Sequence, residues 1–170
     1  MRNSHKILLG IAGIQTVLLL GLTVQNQTEV VAPTAPLTQL ALTDITALEI
    51  SRPDDHPPNQ VPLQLTKVDG TWVIASADNY AVDNQKVEKV LQKLLSMNAD
   101  DPVARSKANH NTLNVGTTTY SKKVILKAGE TVAELIVGEG KGRSVYVRKT
   151  SANDVYLIKG VTAYDLSHEV

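Results

Sequence analysis

The sequence predicts an α+β domain. It reads as antiparallel meander strands in two groups packed on one main amphipathic helix, preceded by a single N-terminal transmembrane helix. Three observations carry that expectation. Apolar and polar residues alternate in short runs on both sides of residue 100, the period of half-buried strands. One stretch near the middle changes to the helical period. Residues 7–24 hold no charge at all.

The composition suits such a fold. Of 170 residues, 42% are hydrophobic, with no Phe and one Trp, so the core must be built mainly from Val, Leu and Ile, which favour sheets. There is no Cys. That excludes disulfides, thiolate metal sites, a Cys nucleophile and a lipid-bearing cysteine.

The run Ile7–Val24 contains only Gln15, Thr16 and Thr23 as polar groups. As a helix it would span about 27 Å, enough for a hydrocarbon core. A cleaved signal peptide is the competing reading. The small residues beyond the run, Ala32 and Ala35, are each followed by proline, a poor cleavage context, which favours an uncleaved anchor. Arg2 and Lys6 precede the run and no cation follows it until Arg52, so the N-terminus is expected in the cytoplasm and the rest outside it, periplasmic in a two-membrane bacterium. The expected organisation is a cytoplasmic flank and anchor over 1–24, a Pro-containing linker over 25–44 and an extracytoplasmic domain over 45–170. Extended, the linker could lift the domain by roughly 60 Å; alternatively, its "LTQLAL" segment packs onto the domain.

The first strand group is "ITALEISR" (45–52), "VPLQLTKV" (61–68) and "TWVIAS" (71–76). The Asp69-Gly70 pair between the last two is a two-residue hairpin signal. Val87, Val90, Leu91, Leu94 and Leu95 then fall on one face of a helix, with Asp83 placed to cap it. After a polar, irregular stretch comes the second group: "YSKKVILK", "TVAELIVG", "SVYVRK" and "DVYLIK", joined by turn-forming residues. The two groups could be copies of a related three- or four-strand unit, and "GVTAYDLSHEV" could begin a last helix.

The segment "VGEGKGR" places Gly138, Gly140 and Gly142 beside Lys141 and Arg143. A phosphate loop needs a helix N-terminus after it. Here "SVYVRK" follows, a strand pattern, so the glycines are expected to serve a hairpin.

The chain has 17 basic and 17 acidic residues, unevenly placed. From Gln25 to Asp101 there are 5 Lys/Arg against 11 Asp/Glu; from Pro102 onward there are 10 against 6. That excess is too small for a nucleic-acid binder. Lys122, Lys123, Lys127, Lys141, Arg143, Arg148 and Lys149, against three acids between 103 and 149, are the candidate partner-binding residues, for an acidic partner or anionic lipid. Strand alternation divides such cations between two faces.

Other chemistry is thin. His56 lies near Asp54 and Asp55 in a loop without closed ligand geometry, and His110 follows Ser106 by four residues without a nucleophile elbow. No catalytic residue, metal or cofactor is expected. Trp72 reads as a core anchor against Val87, Leu91 and Leu94.

The hairpin "LTKVDGTWVIAS", the helix "YAVDNQKVEKVLQKLLSM", and then "PVARSKANHNTLNV", "KKVILKAGETVAELIVGEG", "RSVYVRKTSANDVYLI" and "AYDL" occur in that order. Together they resemble the bacterial family known as domain of unknown function 4340, over roughly residues 45–167. The resemblance implies a membrane-anchored extracytoplasmic α+β domain, with some members associated with ABC-type transporters and gliding-motility genes. It implies no catalytic residues. The expected function is a non-catalytic accessory or scaffold domain of an envelope complex; the alternative is an extracytoplasmic ligand-binding domain or hydrolase.

Overall fold

The computed structural model describes residues 35–53 and 61–166. The run Ile7–Val24, the cluster Asp54, Asp55 and His56, and His168 lie outside these residues. Among the described residues no helix is long and apolar enough to cross a membrane.

The chain enters with β1 (Ala35–Pro36), passes a 3-10 turn (Leu42–Asp44) and lays down β2 (Ala47–Ser51), β3 (Leu63–Val68), β4 (Thr71–Ile74) and β5 (Tyr80–Ala81). Helix α1 (Asn84–Leu95) follows, then β6 (Asn98–Ala99), a second 3-10 turn (Lys107–Asn109), and the strands β7 (Lys122–Ala128), β8 (Thr131–Glu139), β9 (Ser144–Lys149) and β10 (Val155–Lys159). A last 3-10 turn spans Tyr164–Leu166.

Every pairing is antiparallel, and the α+β class holds. The two strand groups are four-stranded meanders, but they form one eight-stranded sheet in the order β10-β9-β8-β7-β2-β3-β4-β5. The joint is β2 against β7, Leu48 opposite Leu126 and Ile50 opposite Val124. Its cause is the apolar pattern: these four side chains are buried on one face, and pairing the meanders makes that face continuous.

Local chemistry sets the turns. Asp69 and Gly70 both take positive φ, as the tight hairpin between β3 and β4 requires. Asp78 and Asn79 repeat that geometry and return the chain as β5. The Asp83 carboxylate accepts the Gln85 N–H and caps α1. The Asn84 side chain accepts the Trp72 N–H at 2.8 Å, tying the helix start to the hairpin.

Helix α1 buries Val87, Val90, Leu91 and Leu94. They share one cluster with Trp72, Leu48, Leu65, Val124, Leu126, Leu135, Val137 and Val147 from the sheet. Leu37 and Ile45 belong to the same cluster, β1 pairs with β6, and the Leu37 N–H bonds the Met97 carbonyl. Of the stretch read as a linker, residues 35–44 are thus packed on the domain, and the compact unit begins at Thr34. The opposite sheet face is covered at its β8–β10 end by the segment 103–120, around Val115, Ile136 and Val155.

Gly138 marks where that segment crosses the sheet. A Cβ there would stand 2.4 Å from the Leu113 carbonyl oxygen and 2.5 Å from that of Asn114. The approach of backbone to backbone admits only glycine.

Candidate functional site

The seven candidate cations do not form one surface. Lys122 and Lys149 share the core-facing side of the sheet, while Lys123, Lys127 and Arg148 lie on the other side; Lys141 and Arg143 are exposed in the β8–β9 connection. Two of the seven are buried. Lys122 is 6% exposed and its ammonium donates to the Leu166 carbonyl at 2.8 Å. Arg148 is 5% exposed, and its guanidinium donates to the carbonyls of Val115, Lys149, Thr150 and Ala152. Burial lowers the Arg148 pKa. Both residues hold chain segments against the sheet, so neither offers its charge to a partner. Lys123 pairs with Glu134 at 3.3 Å. Lys127, Lys141 and Arg143 remain fully on the surface and Lys149 partly so.

The glycine segment is a hairpin connection between β8 and β9, followed by a strand and not a helix. Gly142 supplies the positive φ of its turn.

The other reactive side chains serve local structure. The His110 ring is buried and its Nε2 lies 2.9 Å from the Asn153 carbonyl. The Ser106 hydroxyl accepts the Ala108 N–H and caps the 3-10 turn. Trp72 is 1% exposed in the core. Among the described residues no three His, Asp or Glu side chains form a metal cluster.

One groove stands out, with a volume of about 800 Å³. One wall is the segment 37–41 with Asp44; the other is the start of β8, closed at one end by residues 149–151. β8 outruns β9. Their pairing stops at Leu135 opposite Lys149, and the last bond is from the Thr150 N–H to the Glu134 carbonyl at 3.1 Å. Glu134 therefore turns its backbone toward β9, and Val132, two residues earlier, turns the same way. The β7 side agrees. The Lys127 carbonyl accepts the Thr46 N–H on the β2 side, so Lys127 and Val132 face each other as a non-bonded pair. The N–H and C=O of Val132 thus point into the groove, where no strand among the described residues meets them.

The opposite wall contributes Thr38. It is 6% exposed and its hydroxyl has no hydrogen-bond partner. Val132, by contrast, is 51% exposed. Sequence reasoning missed this site because its walls come from distant segments that share no motif; the only signal was the unequal length of "TVAELIVG" and "SVYVRK".

The family model described as Domain of unknown function (DUF4340) matches residues 72–170. The chain belongs to this family. The DUF4340 match takes in α1, the whole second meander and the β8 wall of the groove, and leaves out β2, β3 and the wall formed by residues 37–41. No curated protein and no solved structure matches this DUF4340 chain.

Proposed function

We propose that the chain is a membrane-anchored, extracytoplasmic accessory or scaffold domain of a bacterial envelope complex, which holds a protein partner and carries out no reaction of its own. The run Ile7–Val24 would supply the anchor, and Arg2 with Lys6 the orientation. An association with an ABC-type transporter is part of the proposal. The observation that carries it is how the reactive side chains are spent: His110, Ser106 and Arg148 are committed to backbone partners that fasten loops to the sheet.

Crosslinking in intact membranes, with mass spectrometry of the captured chains, tests this reading. A defined set of envelope proteins should be captured reproducibly; a chain that captures none refutes it. External protease added to spheroplasts should digest the domain, and protection would reverse the orientation.

The ligand-binding alternative has one observation in its favour, the unpartnered Thr38 hydroxyl beside the groove. Native mass spectrometry of the purified chain decides it: a small molecule retained in stoichiometric amount would replace the scaffold reading.

A further inference from the structure

We propose that the groove beside β8 is a strand-addition site, which binds an extended segment of a partner protein as a further strand along Thr131–Ala133. The inference rests on the accessory-domain reading and names the chemistry by which that domain would hold its partner.

The backbone groups of Val132 identify the guest. Paired main-chain N–H and C=O groups that point sideways from an open strand are matched by another extended chain, whose own groups alternate at the same spacing. The open part of β8 covers three residues, Thr131–Ala133, about 10 Å at the strand rise. The wall opposite carries a second unmet group, the Thr38 hydroxyl. A buried hydroxyl without a partner is destabilising, and a guest main-chain group can satisfy it once a small shift of residues 37–41 uncovers it.

The lining sets the side chains of the guest. Leu40 and Ala133 border the groove and pack on the core, and Val132 lies exposed on the other sheet face. Residues of a guest strand alternate between those two sides, so apolar side chains are expected on both. The charges are balanced: Asp44 and Lys149 line the groove, and Glu134 is held by Lys123 at 3.3 Å. No net field selects a small anion or cation, which favours recognition through the main chain. A second copy of this chain would have to bring a whole sheet to this edge, and residues 37–41 stand in its path.

The full chain, solubilised in detergent, is panned against phage-displayed random peptides, and the enriched peptides are synthesised. The enriched set should share runs of apolar residues in extended-compatible sequences. Methylating single main-chain nitrogens of one such peptide should weaken binding about tenfold at alternate positions and little at those between. Val132→Pro should weaken binding about as much, because the N–H it removes is not used by β7. Thr38→Val keeps the shape and removes the hydroxyl, and should weaken binding without lowering the melting temperature. Two results would overturn the site: no enriched peptide, or peptides indifferent to methylation at every position. Should Val132→Pro not fold, the methylation series and Thr38→Val still decide. Membrane crosslinks that persist unchanged in a folded Val132→Pro chain would also overturn it, while leaving the accessory reading intact.

Discussion

The Lys93 ammonium is bonded to the Asp165 carboxylate, joining helix α1 to the last turn of the described chain. Asp165 also accepts the N–H and hydroxyl of Thr162 at 2.8 Å each, and its own N–H returns to that hydroxyl. This is a capping box closed around one 3-10 turn. Lys122 holds the end of the same turn through the Leu166 carbonyl. The tail expected to begin a helix makes only this turn within the described residues.

The bond to Lys93, and then those to Thr162, lower the Asp165 pKa to about 2. A carboxylate with a depressed folded-state pKa stabilises the fold above its ordinary value and loses that contribution as pH falls through the folded value. The loss is expected between about pH 4 and pH 2. The pair is partly solvated, so Asp165→Asn should cost about 1 kcal/mol at neutral pH, and the difference from the parent should shrink steadily as pH falls toward 2. Urea unfolding across that pH range measures both.

Trp72 is the largest fully buried side chain, yet its indole N–H has no partner. Trp72→Ala should cost about 3–5 kcal/mol through the cavity it leaves. Trp72→Phe should cost less than half as much, because it retains most of the ring volume and deletes an unsatisfied donor. Far-ultraviolet circular dichroism is the suitable signal, since both variants lack the only Trp.

Gly138→Ala should destabilise by about 2 kcal/mol or more, because the new methyl meets two backbone carbonyls that cannot swing aside. Gly142→Ala is the control. It has open space but a φ of +62°, and should cost about 1 kcal/mol. Thermal unfolding should rank them in that order, and hydrogen exchange should show the segment 103–120 loosened by the first alone.

Arg148→Met should cost about 3 kcal/mol, since it strips a charged donor from four carbonyls. Replacing Lys141 and Arg143 with Ser should change stability by no more than about 0.5 kcal/mol. If those two contribute to partner binding, the double variant should bind more weakly in low salt and match the parent in high salt. Denaturation curves and salt titrations of the crosslinking yield separate the two roles.

Much of the fold was legible because alternation and turn chemistry are local signals. The strands around Leu65, Val124, Leu135, Val147 and Ile158 follow from period-two runs, the β3–β4 turn from Asp69-Gly70, and α1 from its stripe and Asp83. β5 escaped because two residues make no period. The β2–β7 joint escaped because it pairs segments some 75 residues apart, and nothing local records that choice. Lys122 and Arg148 misled for a related reason. Alternation divides cations between two faces, but that the last turn would cover Lys122 and the segment 103–120 would cover Arg148 was not written in either strand. The groove was the least legible, since backbone groups without a strand partner among the described residues carry no residue signature.

The family segment and the folding unit are different lengths of chain. The match begins at Trp72, whereas β2 and β3, which lie between β7 and β4 in the sheet, come before it. A fragment cut at residue 72 would be left with raw edges on β4 and β7 and a void where Leu48, Ile50 and Leu65 sit. Open, apolar sheet edges of that kind pair with copies of themselves, so such a fragment should aggregate where the chain from Thr34 folds. The matched portion is here a partial scaffold, and its missing centre is supplied by residues that precede the match.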